Sequence, residues 1–388
     1  MARPRILLIV LAGGKGSRLE LLTESRAKPA VPYAGHYRLI DVPLSNALHS
    51  QIADVWVIEQ YNPVSLIDHL ANGRPWDLDR TTGGLRLLHP RQGGRHEGWA
   101  SGTADSLWRN ADLVREFAAD ALVVVSSDAV YRLDYDAVVQ QHLETGATVT
   151  MVTTRVEASD ASRYGVVRVK DGRVTDYAYK PESPAGDLVT NEVFVFDPGP
   201  TLDLLESLAD EVDEEGLQDL GNDLLPRLVA AGSAREYRLE GYWRDLGTIS
   251  SYWQAHMDLV AESPPFAPDD AEWPIVTLPT RLAPARLLAG SSVSEALLSS
   301  GLQVAGTVER SVLSPGVVVE AGAVVRDSVL LSGTVVRRGA TVTRAILDSG
   351  VQVGEKAQVG APDGEITLIG SGEVVAEGEA VPAGARRG

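Results

Sequence analysis

The chain has 388 residues, 44% of them hydrophobic and 23% charged, the balance of an ordinary globular protein with room for two domains rather than of a disordered one. A formal charge of -18 argues against binding nucleic acid through a general basic field, so any polyphosphate must meet a local basic site. The absence of cysteine excludes disulfides, thiolate nucleophiles and cysteine-based zinc sites together, and fits a reducing, cytoplasmic setting.

The N-terminal "MARPRILLIVLAGG" has the makings of a signal peptide, with arginines before a short apolar run that ends in small residues. The same pattern is that of a buried first strand of a parallel sheet. The strand is favoured, because cleavage there would destroy the loop that follows at once. That loop, "LAGGKGSRLELLTESRAKPA", carries three glycines, two arginines and two lysines. Small residues let a backbone turn sharply and approach a ligand, and exposed N–H groups beside Lys and Arg suit a nucleoside triphosphate. No apolar run reaches the about 18 residues that a membrane span needs.

Further along, "ADVWVIEQY" (53–61), "ALVVVSSDAVY" (121–131) and "TVTMVTTRV" (148–156) read as strands, and 102–117 and 135–146 as helices. The alternation predicts an α/β, doubly wound parallel sheet, with ligands beyond the C-terminal ends of its strands. Residues 261–287 are proline-rich and lack a helical period, which predicts a linker between a domain over 1–260 and another over 288–388. After it "ALLSSGLQV", "SVLSPGVVV", "SVLLSGTVV" and "AILDSGVQV" repeat one pattern, the last two steps both 17 residues long. Phased glycines in such a repeat point to a parallel β-helix rather than a β-sandwich of similar strands.

The opening loop fails two familiar tests. Gly14 and Gly16 are followed by Leu19 where a dinucleotide fingerprint needs a third glycine, and the Gly-Lys-Ser/Thr of a Walker loop is missing. What remains is Leu-Ala-Gly-Gly-x-Gly-x-Arg-Leu, with Lys28-Pro29 ten residues after Arg18. Together with "RAKPAVPYAGHYRLIDVPLSNALHS", "GTADS", "YGVV", "LGNDLLP" and "YWRDLGTISSYWQAHMDL", in that order, it resembles the sugar-1-phosphate nucleotidylyltransferases, and within them the glucose-1-phosphate adenylyltransferases.

The resemblance implies a Rossmann-like nucleotidyltransferase domain followed by a left-handed β-helix that mediates assembly into a homo-oligomer, as a tetramer. It implies a reaction in which the phosphate of a sugar 1-phosphate attacks the α-phosphorus of a nucleoside triphosphate. Two anions must meet, so cations are required. Arg18 and Lys28 match the family's cationic pair, and Asp128 and Asp245 its magnesium-binding carboxylates; oxygen ligands beside phosphates suit Mg2+. The triphosphate loop corresponds to Leu11, Ala12, Gly13, Gly14 and Gly16, with Gln92, Gly102 and Thr103 near the base and ribose. Lys180 matches the lysine that holds the sugar phosphate, and Gly165 a backbone contact to a sugar hydroxyl.

Departures from the family gather around the substrates. Tyr179 stands where the family has the Glu of Glu-Lys-Pro, and a phenol does not replace a carboxylate acceptor. Thr190, Asn191 and Glu192 replace Ser-Met-Gly, and Glu192 is a candidate to restore the lost acceptor. Ala129 replaces the histidine of Gly-Asp-His, and Trp99-Ala100-Ser101 replaces Trp-Tyr-Arg. Ser25 occupies the place where some members carry an effector-binding lysine. Two acceptors therefore stay open: glucose 1-phosphate, and a cyclitol phosphate such as valienol 1-phosphate with GTP or ATP. A non-catalytic regulatory subunit is a rival that the retention of Arg18, Lys28, Asp128, Lys180 and Asp245 speaks against. An acyltransferase is another, disfavoured because no histidine lies beyond His256.

Overall fold

The computed structural model describes residues 3–92, 98–212 and 216–388. In chain order the elements begin with β1 (Ile6–Ala12), the short pair β2 (Pro32–Tyr33) and β3 (Tyr37–Arg38), α1 (Asp41–His49), β4 (Asp54–Glu59) and α2 (Pro63–Leu70). Next come β5 (Gly84–Leu88), α3 (Thr103–Trp108), α4 (Ala111–Phe117), β6 (Ala121–Ser126), β7 (Ala129–Tyr131), α5 (Tyr135–Thr145) and β8 (Val149–Arg155). The set closes with β9 (Gly165–Lys170), β10 (Arg173–Tyr179), β11 (Leu188–Phe196), α6 (Pro198–Glu211), α7 (Leu225–Ala230), β12 (Ala234–Arg238), β13 (Trp243–Asp245) and α8 (Ile249–Leu259).

β1 is an aliphatic run with almost every residue buried, as befits a strand covered on both faces. It lies inside a nine-stranded sheet of order β5-β4-β1-β6-β11-β8-β12-β10-β9. The expectation of a wholly parallel sheet needs correction. β5, β4, β1 and β6 are parallel, but β11 runs antiparallel between β6 and β8. β6 still crosses over to β8 through α5, with β11 inserted between them, and the β9–β10 hairpin that lies between β8 and β11 in the chain forms the far edge of the sheet.

Two other predicted elements are interrupted, each in a useful place. The run 121–131 is two strands, β6 and β7, parted at Ser127 and Asp128, so that Asp128 leaves the sheet at its ligand-facing end. The run 102–117 is two helices, α3 and α4, parted at Arg109 and Asn110.

The proline-rich segment holds no helix and is nonetheless packed down. Phe266 and Ile275 are buried, Trp273 Nε1 donates to Asn46 Oδ1 at 2.8 Å, and Trp76 Nε1 donates to the Val276 carbonyl at 3.0 Å. Beyond it the strands stack in parallel coils. Val318 pairs with Val335 and Val335 with Gln352, while Val312 pairs with Val329 and Val329 with Ile346, each a step of 17 residues. The interior of these coils is a column of Val, Leu, Ile and Ala.

Besides this column of their own, the coils share a core with the sheet. Val329, Leu331, Ile346, Ile366 and Leu368 belong to the same buried cluster as Leu8, Leu19, Leu22 and Tyr252. Trp253 Nε1 of α8 donates to the Asp327 carbonyl at 2.8 Å, and the Arg344 guanidinium lies 4.5 Å from the Trp253 ring centroid. No helix among the described residues is long and apolar enough to cross a membrane.

Candidate active site

The loop after β1 is shaped by its neighbours. Gln60, just past β4, donates from Nε2 to the carbonyls of Gly13 (3.2 Å) and Ala100 (3.1 Å), and its Oε1 accepts from the Ala100 N–H at 3.0 Å. One amide side chain thereby fixes the spacing between the glycine loop and the segment before α3. Gly16 has φ 71°, the left-handed region that favours glycine, and its carbonyl accepts from Thr23 Oγ1 at 3.0 Å. A Cβ on Gly16 would stand 3.0 Å from Lys28 Cβ, so the loop rests directly on the lysine.

Lys28 Nζ donates to Asp128 Oδ2, and Ser126 Oγ donates to Asp128 Oδ1. Asp245 is brought alongside by the antiparallel pairing of β13 with β7, which sets Asp245 opposite Ala129. The Leu246 N–H donates to the Asp128 carbonyl at 2.9 Å, and Arg163 Nη2 donates to Asp245 Oδ2 at 3.0 Å. Burial opposes the charge of Lys28, but Asp128, Asp245 and Glu192 outweigh it and hold the lysine above its usual range. Burial likewise opposes the charge of Asp128, yet Lys28, Ser126 and Arg18 hold its carboxyl below the ordinary value. Asp245 is pushed up, first by burial and then by the charge of Asp128. Two carboxylates thus compete for cations at this point, and among the described residues no third His, Asp or Glu joins them in a metal-binding cluster.

The far wall is built by β9, β10 and β11. Lys180 Nζ donates to the Tyr179 hydroxyl at 2.7 Å, and that hydroxyl donates to Asp219 Oδ2 at 3.0 Å. Thr103 Oγ1 donates to Asp219 Oδ1 at 3.2 Å while accepting from the Leu220 N–H at 2.9 Å. Tyr179 is thus linked through its hydroxyl to a carboxylate, Asp219, that also lines the cleft. Burial, then Asp219 and Glu192, push the Tyr179 phenol well up, so it stays a neutral donor. Glu192 has φ 60° and is open to water inside the cleft. Its carboxyl is pushed up to about 7, first by its depth within the protein and then by Asp128 and Asp245. Gly102 cannot carry a side chain, since a Cβ would lie 2.2 Å from the Gln218 carbonyl oxygen.

These walls enclose a cleft of about 460 Å³. Of the residues expected from sequence, Leu11, Ala12, Gly13, Gly14, Gly16, Arg18, Lys28, Gly102, Thr103, Asp128, Gly165, Tyr179, Lys180, Thr190 and Glu192 all line it. Asp245 does not line it, its carboxylate being drawn to Arg163 beside the cleft. Gln92 is exposed and absent from the lining. The sequence reading missed Lys15, Gln60, Tyr61, Tyr177 and Asp219, which line it as well. Gln60 carried a usable signal, a polar residue directly after an apolar strand at the ligand end of a sheet; Tyr177 and Asp219 carried none beyond their neighbourhood to Tyr179 and "LGND".

A glycine-rich loop at the end of a central strand, a lysine paired with a strand-end carboxylate, and a C-terminal stack of coils define a nucleotidyltransferase joined to a hexapeptide solenoid. Residues 7–262 match the family of nucleotidyl transferases, and residues 279–365 match the GlmU-like C-terminal hexapeptide family. The chain is 40% identical to a glucose-1-phosphate adenylyltransferase of Thermotoga maritima, covering 82% of this chain and 75% of that protein. It is 34% identical to the enzyme of that name from Acetivibrio thermocellus over 97% of this chain and 92% of the relative, and 41% identical to that of Thermomicrobium roseum over 76% and 69%. The chain belongs to the glucose-1-phosphate adenylyltransferase family of nucleotidyltransferases.

Proposed function

We propose that the chain joins a nucleoside triphosphate to a sugar 1-phosphate with release of pyrophosphate, most simply ATP and glucose 1-phosphate to give ADP-glucose. The observation that supports this best is a single cleft with Arg18 and Lys28 between the glycine loop and the wall of Tyr179 and Lys180. A phosphate oxygen of the sugar phosphate attacks the α-phosphorus. The bond from that phosphorus to the oxygen bridging to the β-phosphate breaks, and its electrons leave on pyrophosphate. No general base is needed, because the attacking phosphate is already ionised. Lys28 and Arg18 offset the charge gathered in the transition state, and Lys180 holds the acceptor phosphate.

Asp128 and Asp245 offer hard oxygen donors of the kind Mg2+ takes, and the burial and the repulsion from Asp128 that raise Asp245 are what a divalent cation would offset. When bound, the metal would neutralise triphosphate charge. Assembly as a tetramer through a left-handed solenoid, domain limits at 1–260, 261–287 and 288–388, and a cytoplasmic setting complete the reading. Tyr179, with Asp219 behind it, and Glu192 favour a second reading in which the acceptor is a cyclitol phosphate such as valienol 1-phosphate.

The test is magnesium-dependent release of pyrophosphate, with ATP, GTP, UTP and dTTP each set against glucose 1-phosphate, and with Lys28→Ala and chelation by EDTA as controls. Loss of a cation aimed at developing charge should lower kcat by about 10²- to 10³-fold. No turnover with glucose 1-phosphate but turnover with valienol 1-phosphate would favour the second reading. Inactivity with both would leave a non-catalytic subunit.

A further inference from the structure

Asp348 lies on a turn of the solenoid, directly after the strand Ala345–Leu347, and is fully buried. Both of its carboxylate oxygens accept from Arg26 Nη1, at 2.9 and 3.0 Å, and the Ser349 N–H donates to Oδ1 at 2.6 Å. Arg26 belongs to the other part of the molecule. It precedes Lys28 by two residues, and its side chain is only 13% exposed. The same Nη1 reaches the Leu22 carbonyl at 3.5 Å, within the turn Ser17–Thr23 that contains Arg18. Thr23 holds the Gly16 carbonyl, and Gly16 rests on Lys28. One buried carboxylate of the solenoid thus anchors, through Arg26, both segments that carry the cleft's phosphate-facing cations.

The anchor is reinforced and electrically needed. Leu21 packs against Gly370 and Gly388, and Glu20 pairs with Arg386. Arg38 is lowered first by burial and further by the charge of Arg26, with Asp41 and Asp348 opposing. Without Asp348, the half-buried guanidinium groups of Arg26 and Arg38 would lose one of the groups that offset their like charge.

We infer that Asp348 is a positioning residue for nucleotidyl transfer, acting through Arg26 on Lys28 and Arg18. This rests on the reaction proposed above. A displaced catalytic cation costs rate steeply, so Asp348→Asn should lower kcat about ten- to hundredfold while KM for both substrates stays within about threefold. Because removing one partner strands a buried charge, a second variant replaces both, Arg26→Met with Asp348→Leu. Apolar pairs of that kind often fold as well as the ion pair they replace. It should melt near the wild-type temperature and still carry the loss in kcat. A scaffold effect is separated by the cycle with Lys28→Ala: in that background Asp348→Asn should cost at least about threefold less than in the unaltered one, because one of the two cations it positions is gone.

The inference is overturned if the apolar pair turns over within twofold of wild type, or if it fails to fold. It is overturned equally if Asp348→Asn costs as much in the Lys28→Ala background as without it. An unaltered chain that releases no pyrophosphate with any substrate pair would refute the reaction itself, and the wild-type arm reads that separately.

Discussion

Replacement of Gly16 by alanine probes the mechanical link between the glycine loop and Lys28. At φ 71° an alanine meets the left-handed penalty, about 1–2 kcal/mol. Its Cβ would stand 3.0 Å from both Lys28 Cβ and Thr23 Cγ2, against the roughly 3.5–4 Å of a relaxed carbon contact. The neighbours must then retreat by about half an ångström. A misplacement of 1 Å costs on the order of a hundredfold, so half of that predicts a loss of about tenfold in kcat. The strain alone should lower the melting temperature by about 1–3 °C in a chain of this size. Initial rates of pyrophosphate release at saturating substrates, beside a thermal melt, read the two effects separately. A variant that melts lower yet keeps kcat within twofold of wild type would refute the coupling of loop to lysine.

Tyr179→Phe removes the hydroxyl between Lys180 and Asp219, and loss of one such bond, about 1–2 kcal/mol, should raise KM for the sugar phosphate roughly five- to thirtyfold with kcat little changed. Gly102→Ala forces a methyl against a backbone carbonyl that cannot swing away, so a destabilisation of about 1–3 kcal/mol is expected in urea titration. Buried His256 and His142 are both held down to about 4 by burial, below their unfolded value. Their contribution is therefore full above the unfolded pKa of about 6.5 and lost as pH falls from there toward 4. Each should cost up to about 2 kcal/mol by pH 5. His256 Nε2 accepts from the Ala34 N–H at 3.2 Å, a bond that protonation removes, and His256→Gln should flatten the acid limb of a denaturation curve measured from pH 7.5 to 5.

What could be read from the sequence was what is local. β1 and its glycine loop are adjacent in the chain, and each solenoid coil repeats a short pattern that its neighbours share, so both declared themselves. Lys28 and Asp128 lie 100 residues apart, and only family motifs suggested that they share a site; the fold joins them by a hydrogen bond. The reversal of β11 did not show, because a strand buried at nearly every position reads the same in either direction. Nor did Asp219 as the partner of Tyr179, since 40 residues separate them and only the fold closes the gap. Arg26 and Asp348 lie 322 residues apart, and neither stands out in its own stretch.

The shared core also sets an order of events during synthesis. The catalytic portion leaves the ribosome first, but the cluster beneath its phosphate loop still lacks Val329, Leu331, Ile346, Ile366 and Leu368. Until the coils are made and docked, Leu19 and Leu22 lie against an unfinished surface, and Arg26 has no counter-ion on the solenoid. A nascent chain halted before residue 320 would accordingly present an apolar face where the finished enzyme has its joint, a natural target for chaperones and proteases.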